Sequence, residues 1–253
     1  MRNKTIKILA AVVSAALLFG GLFLLFHDDI QVKIQEEKIK PFVPDFTLLE
    51  LPEQDNFNQN NSTYIAKKTE ENLTKQVQNL CDNFDNSVGW ICIPETEINY
   101  PVMYSGDNNF YLHRAVDGSY LRVGSIFLDY RCNSDFTSRI NVLYGHNMSD
   151  GSMFADVMKF IDSSYFDSHN YGWLTTSNAV YKIDFFSVSQ PENYDDFYDV
   201  NSDVNLWLDD LRANSFIWRN IGISEDDQFI SLSTCTGSEG ISRTVLTGKL
   251  CKI

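Results

Sequence analysis

The run Phe229-Ile-Ser-Leu-Ser-Thr-Cys235 and the run Arg243-Thr-Val-Leu-Thr-Gly-Lys-Leu-Cys251 stand near the end of the chain, with seven residues between them. Both runs read as β-strands, in which successive side chains point to opposite faces. If the two strands pair antiparallel, the end of the first lies beside the beginning of the second. We therefore expect Cys235 and Arg243 to be neighbours. We also expect the outer face of the first strand, with Ser233 and Cys235, to be open to a substrate.

A third residue with useful chemistry, His146, ends another apolar run, Ile140-Asn-Val-Leu-Tyr-Gly-His146. A thiol, an imidazole and a guanidinium together suit acyl transfer, in which Cys235 attacks a carbonyl, His146 moves protons and Arg243 binds the oxyanion. Because an ordinary thiol is only slightly ionised at neutral pH, a nearby imidazole would help it. The backbone N–H of Thr236 is a candidate second oxyanion donor. No Asp or Asn is evident that would orient His146.

Taken one at a time, these residues favour plainer interpretations. A lone cysteine at a strand end is more often a packed thiol, a histidine after Tyr-Gly a turn residue, and an arginine at a strand start a solvated or ion-paired side chain. Composition and spacing alone therefore indicate a β domain and leave a thiol enzyme as a hypothesis.

Short strands dominate the chain after its first third. The patterns predict strands over 88–93, 97–102, 125–129, 140–144, 171–175, 179–189, 229–235 and 243–251. Helical spacing occurs over 63–84, 151–160, 162–168 and 202–211. Many short strands with few helices between them predict a β-barrel or a β-sandwich, and they argue against a parallel sheet built from βαβ units.

Charge and cysteine content exclude several kinds of partner. The formal net charge of −14 leaves nothing to neutralise phosphates, so a nucleic-acid partner is not expected. The five cysteines form no CxxC pattern, and with only four histidines a structural zinc site is not expected either. No cofactor is indicated. Four of the cysteines are interpreted as small buried hydrophobes, although the sequence does not exclude disulfides among them: Cys81, Cys92, Cys132 and Cys251.

The N-terminal region predicts export. Residues 8–26 form an uninterrupted apolar stretch of nineteen residues, about 28 Å as a helix and close to the thickness of a bilayer core. Basic residues precede it, so residues 1–7 are predicted to be a cytoplasmic tail and the rest to lie outside the cell. A cleaved signal peptide is the competing interpretation. Residues 27–62 indicate a linker, and 63–253 the folded domain.

Taken together, these runs and several others make the sequence similar to the class B sortases. Ser231-Leu-Ser-Thr-Cys235 is similar to the TLSTC strand of that family, and Arg243 stands at the place of its arginine. Further blocks agree in order, from about residue 85 to 250: Ile98-Asn-Tyr-Pro-Val102, Asp107-Asn108 to Tyr111-Leu112, Phe127-Leu-Asp-Tyr-Arg131, Leu143-Tyr-Gly-His-Asn-Met148 and Gly151-Ser-Met-Phe154. Two features depart from the family pattern, namely Ser231 in place of its first threonine and a glycine-rich loop over 236–242.

The resemblance implies a mostly β fold, a closed eight-stranded barrel with an N-terminal helix and a helical insert before the last two strands. It implies a membrane-anchored cysteine transpeptidase with Cys235 as nucleophile, His146 as general acid and base, and Arg243 as oxyanion or positioning group. Substrates would be surface proteins bearing a C-terminal sorting motif, and acceptors a peptidoglycan-precursor or pilin amine. No metal is implied. The implied substrate-binding residues are Ser233, Asn108, Leu112 and Thr236.

Two other functions remain open on sequence grounds. The same site could release its acyl group to water, as a thiol peptidase does. The chain could also be an anchored binding module that uses none of the three residues in catalysis. The sorting motif, the acceptor amine, the choice between wall anchoring and pilus assembly, and the oligomeric state are not encoded in any pattern we can interpret.

Overall fold

The computed structural model describes residues 29–49, 59–191, 198–235 and 242–253. The chain divides into two compact units, one ending at Pro41 and the other running from Phe42 to Ile253. In the first, residues 29–39 are helical. The second also takes in part of the predicted linker. Its first segment packs on the long helix Gln59–Asn83, and the Phe42 ring meets that of Phe84, just after this helix, edge to face at 5.4 Å.

The predicted membrane-spanning stretch, 8–26, and the predicted tail, 1–7, lie outside the described residues. Within the described ranges, no helix has both the length and the apolar character needed to cross a bilayer.

The second unit contains three α-helices and nine strands among its described residues. The helices are α1 (Gln59–Asn83), α2 (Ser163–Ser168) and α3 (Val204–Ala213). The strands are β1 (Ser87–Cys92), β2 (Asn99–Met103), β3 (Ile126–Leu128), β4 (Ile140–Tyr144), β5 (Tyr171–Thr175), β6 (Val180–Ser189), β7 (Ser215–Trp218), β8 (Gln228–Cys235) and β9 (Arg243–Lys252). Short 3-10 turns occur at Lys40–Phe42, Phe46–Leu49, Phe110–His113 and Ala155–Ile161.

Eight of the strands close into a barrel. They neighbour one another in the order β5-β1-β2-β3-β4-β8-β9-β6, and pairing between β5 and β6 completes the ring. Strand β7 extends the sheet by pairing with β6 alone. The pairs β2–β3 and β4–β8 are parallel, and the others are antiparallel. The predicted closed barrel, its N-terminal helix and its helical insert are therefore confirmed, and the sandwich alternative is excluded.

Two elements differ from the sequence prediction. Strand β7 was not predicted, and the segment predicted as helix over 151–160 forms only the 3-10 turn Ala155–Ile161. The reason for the second difference is the backbone, because Gly151 and Met153 have φ of 88° and 59°. These left-handed values are incompatible with a right-handed helix, so the helical turn begins later.

Helices cover the barrel from two sides. On α1, Leu73, Val77 and Leu80 are fully buried at a spacing of four and three residues, and the helix packs on β1, β5 and β6. On α3, Trp207 lies against Phe229 of β8, with ring centroids 5.3 Å apart. Here the expectation of an open outer face on the first of the last two strands is wrong. Phe229, Ser231 and Ser233 are all buried, because the segment from Tyr198 to α3 covers them.

Candidate active site

The ends of strands β4 and β8 and the beginning of β9 meet at one edge of the barrel. Strands β8 and β9 pair antiparallel, and Cys235 lies directly opposite Arg243 in the register. Directly opposed residues share a face and have Cβ atoms about 5 Å apart. The predicted adjacency of Cys235 and Arg243 is therefore confirmed. Both residues are half-buried.

Parallel pairing brings His146 to the same edge. Tyr144 of β4 is the partner of Ser233 of β8, so β4 and β8 end side by side. Beyond the strand, Gly145 N–H donates to the Ser233 carbonyl at 3.2 Å, and the Thr234 hydroxyl donates to the Gly145 carbonyl at 3.0 Å. These bonds continue the pairing past Tyr144 and carry His146 toward the level of Cys235.

Gly145 is required by its surroundings. A Cβ at this position would lie 2.5 Å from the Ile126 side chain and 2.7 Å from the Phe154 ring. Such contacts are far inside van der Waals distance, so a larger residue would displace the strand or these two side chains. The glycine that precedes His146 thus lets the chain pass Phe154 and stay paired.

A backbone carbonyl orients His146. Its Nε2 lies 2.8 Å from the Leu112 carbonyl oxygen, which can only accept, so Nε2 carries a proton and Nδ1 is the nitrogen available for proton exchange. Burial lowers the pKa of His146; the Leu112 hydrogen bond opposes this, and the charges of His113, Arg122 and Arg243 add to the lowering. This carbonyl supplies the orienting group that the sequence did not indicate.

Asn147 is a site residue that the sequence analysis missed. Its amide donates to the Cys235 carbonyl at 2.8 Å, which ties the segment after β4 to the end of β8. The only sequence signal is its position immediately after His146. That position says nothing of a contact between residues 88 apart in the chain.

Cys235 is half-buried and differs in exposure from Cys132, which is buried. Cys132 is only 3% exposed, its thiol lies 3.5 Å from the Ile140 carbonyl, and burial raises its pKa to about 12. A thiol in that state is protonated at neutral pH and shielded from a substrate. All five cysteines are free thiols, so no disulfide links Cys81, Cys92, Cys132 or Cys251.

Asn108 belongs to a buried polar network around Asp129. The Asn108 amide donates to Asp129 at 3.0 Å, and its oxygen accepts from the Tyr130 N–H at 3.0 Å. Asp129 has no exposed surface and also accepts from the Tyr144 hydroxyl at 2.8 Å and from the Arg131 guanidinium at 2.7 and 2.9 Å. The network fixes Asn108 from both ends of its amide.

The other predicted substrate-binding residues occupy different environments. Leu112 is half-buried and meets His146 through its carbonyl. Ser233 is 1% exposed, and its hydroxyl pairs with the Tyr198 hydroxyl at 2.6 Å. Tyr198 in turn packs edge to face on Tyr144 at 5.6 Å. The Ser233 hydroxyl is therefore already paired and closed to solvent. Thr236 lies outside the described residues.

An open depression of about 390 Å³ lies beside His113, the ring neighbour of His146. It is lined by Asp107, Asn109, Phe110, His113, Arg114 and Tyr120. The ring of His113 stacks on that of His146, with centroids 5.6 Å apart and planes 20° apart. In the described part of the chain, no group of three or more His, Cys, Asp or Glu side chains is arranged to hold a metal ion.

Comparison with known proteins points in one direction. No protein-family model matches the chain. Sortase B of Listeria monocytogenes is 36% identical over 171 residues, which span 64% of this chain and 69% of the relative. Sortase B of Staphylococcus aureus is 27% identical over 195 residues, or 75% and 80%. Among solved structures, sortase B from B. anthracis in complex with AAEK1 superimposes with a TM-score of 0.64 at 35% identity, over 71% of this chain and 85% of that one.

Proposed function

Because the chain belongs to the class B sortases, we propose that it is a membrane-anchored cysteine transpeptidase with Cys235, His146 and Arg243 as its catalytic residues. Its substrates are exported proteins that carry a sorting motif near the C-terminus. Its acceptor is an amine of a peptidoglycan precursor or of a pilin. The register that sets Cys235 opposite Arg243 is the observation that carries this proposal.

In the first half-reaction His146 Nδ1 takes the thiol proton of Cys235, and the thiolate so formed attacks the scissile carbonyl carbon. The carbonyl electron pair moves to the oxygen, and Arg243, across the strand pair, offers N–H donors to that oxyanion. When the intermediate collapses, the C–N bond breaks and His146 gives its Nδ1 proton to the leaving amine. A thioester between Cys235 and the N-terminal part of the substrate remains.

In the second half-reaction an acceptor amine attacks the thioester carbon. His146, whose Nδ1 lost its proton in the first step, takes a proton from the amine. The C–S bond then breaks and releases the Cys235 thiolate. A new amide bond links the sorted protein to its acceptor, so one peptide bond is exchanged for another. The Leu112 carbonyl keeps the same tautomer of His146 available for both steps.

Peptide cleavage with and without an amine tests the proposal. The full chain in detergent is incubated with candidate sorting-motif peptides, and products are identified by mass spectrometry. Cys235→Ala should abolish cleavage, whereas the matched control Cys251→Ala, a half-buried thiol on the neighbouring strand, should leave it intact. An amine such as triglycine should divert the acyl group into a new amide. Cleavage by the alanine variant refutes the assignment, and hydrolysis that no amine alters indicates a thiol peptidase.

We further propose that residues 8–26 anchor the chain with residues 1–7 in the cytoplasm and the barrel outside the cell. Nineteen apolar residues after a basic tail support this orientation. Protease added to intact cells should then digest the barrel, and deletion of residues 1–26 should release the chain from the membrane fraction. Protection of the barrel in intact cells would contradict the orientation.

For substrate recognition we propose Asn108, Leu112, Ser233 and Thr236. Asn108 suits a role in binding because hydrogen bonds at both its amide nitrogen and its amide oxygen fix the orientation of the side chain. Asn108→Ala should raise KM for the peptide more than it lowers kcat. An unchanged KM would remove Asn108 from the binding set.

A further inference from the structure

Two consecutive residues of one short turn contact His146. Both belong to the 3-10 turn Phe110–His113. Leu112 accepts the Nε2 proton at 2.8 Å, and the His113 ring lies against the His146 ring at 5.6 Å with the planes 20° apart. An edge contact and a face contact together restrict both the position and the tilt of an imidazole. The turn therefore acts on His146 as one unit.

The turn is itself held rigidly. The His113 carbonyl accepts from Leu121 N–H at 3.0 Å, and His113 Nδ1 bonds the Arg122 carbonyl at 3.0 Å. Gly124, whose φ is 63°, passes so close to the turn that a Cβ would lie 2.4 Å from the Leu112 oxygen. The segment 121–124 thus braces the turn from behind. A rigid brace is what a positioning group requires.

In the part of the chain that the structure describes, no carboxylate or amide side chain bonds the His146 imidazole. The hydrogen-bonding and ring partners of that imidazole are the Leu112 carbonyl and the His113 ring. Among the described residues, the charged or titratable groups that act on it are His113, Arg122 and Arg243, and Cys235 ends the strand that pairs with β4. All three charged neighbours are cationic when protonated, so each disfavours a protonated His146.

His113 also lies at the surface. It is exposed and forms part of the wall of the depression described above.

We propose that His113 is a positioning residue for His146, whose imidazole it holds in its working orientation by ring contact. A charge on His113 also disfavours the protonated form of His146. The catalytic consequence rests on the proposed function, whereas the effect on His146 does not. Burial and the two arginines act on His146 as well, so His113 is one of several influences on its charge.

Two substitutions separate the ring from the charge. His113→Phe keeps a flat ring and removes the charge, and His113→Ala removes both. The matched control is His169→Phe, because His169 also stacks on an aromatic ring, that of Tyr165 at 3.9 Å, and belongs to neither the turn nor the strand ends. Circular dichroism of the full-length variants checks that each one folds.

The first measurement is the NMR titration of His146 in the histidine-labelled full chain. Loss of the neighbouring positive charge should raise the pKa of His146 in His113→Phe, and His169→Phe should leave it unchanged. This measurement requires no catalytic turnover, so it tests the effect of His113 on His146 even if the chain is not a transpeptidase. An unchanged His146 pKa in a folded His113→Phe variant overturns the charge part of the proposal.

The second measurement is the pH profile of kcat/KM for peptide cleavage. In His113→Phe the limb that reports His146 should move to higher pH with the maximum largely kept. In His113→Ala the maximum should also fall, by roughly threefold to tenfold, the range expected for the loss of one ring pair. A folded alanine variant with the wild-type maximum refutes the positioning role, and failure of Cys235 variants to lose activity refutes the proposed function instead.

Discussion

Asp129→Asn is the substitution for which the structure allows the clearest calculation. The carboxylate has no exposed surface, and Arg131 binds it through two side-chain N–H groups at 2.7 and 2.9 Å. The Tyr144 hydroxyl and the Asn108 amide donate to the same carboxylate at 2.8 and 3.0 Å. Asparagine keeps the shape but removes the charge, and its NH₂ group would face donors instead of acceptors.

The expected cost follows from the buried ion pair. Removing one partner of such a pair costs about 3–5 kcal/mol when both ions are dry. The Arg131 side chain is 28% exposed, so water can solvate part of the guanidinium once its partner is lost. We therefore expect the lower end, about 3 kcal/mol. In a domain of this size that corresponds to a fall in Tm of roughly 6–12 °C.

The pH dependence gives a second test of the same contact. Burial raises the pKa of Asp129, but hydrogen bonds from Arg131, Tyr144 and Asn108 outweigh burial and hold it below its ordinary value. A carboxyl with a depressed folded pKa stabilises the fold above its unfolded pKa, about 3.9, and loses that contribution as the pH falls through the folded value. The wild type and the variant should therefore differ by a constant amount near neutrality and converge only in strong acid.

Urea unfolding followed by tryptophan fluorescence measures the difference. The matched control is Asp135→Asn, the same substitution at an exposed aspartate that bonds the hydroxyl and backbone N–H of Thr137 in a turn. The control should cost no more than about 1 kcal/mol. If Asp129→Asn costs as little as the control, or if the difference between wild type and variant grows as the pH falls from neutrality, the argument from the buried pair is wrong.

Asn147→Ala should lower kcat/KM by roughly threefold to tenfold, because one hydrogen bond to the Cys235 carbonyl contributes about 0.5–1.5 kcal/mol; steady-state cleavage assays check this. Iodoacetamide near pH 7 should label Cys235 well before Cys132, whose pKa of about 12 keeps it protonated, and peptide mass spectrometry would contradict this by finding Cys132 labelled first. Gly145→Ala should destabilise the fold by about 1–3 kcal/mol, since its Cβ would meet the Ile126 side chain at 2.5 Å, and thermal unfolding measures the loss.

Local patterns in the sequence predicted most of the fold. The alternating runs at the end of the chain were long enough to define β8 and β9, and the gap between them required a close return. Strand β7 was missed because its four residues carry little periodicity and one of them, Phe216, is exposed. Its extended form depends on pairing with β6, a partner that no local pattern identifies.

The site was predictable where the chemistry of a residue is distinctive and not where contacts decide. Cys235 and Arg243 were indicated by residue type and by their positions on adjacent strand ends. The Leu112 carbonyl could not be, because every residue has a carbonyl and only the fold brings this one to His146. Asp129 was visible only as part of a family-like block. Its role as the centre of a buried network depends on partners up to 21 residues away.

The closed barrel is what makes this arrangement of strand ends possible. In a meander of antiparallel strands, consecutive ends alternate between the two rims, so β4 and a strand next to it would end on opposite rims. Here β4 and β8 are parallel and adjacent, and the chain between them contains α2, β5, β6, α3 and β7. Both therefore end at one rim, where β9 begins. A one-residue slip between β8 and β9 would turn Arg243 to the opposite face from Cys235. Three hydrogen bonds hold the strand ends in place at this rim. Two join Gly145 to β8 just beyond β4, and the third runs from Asn147 to Cys235. Their removal should therefore impair catalysis more than folding.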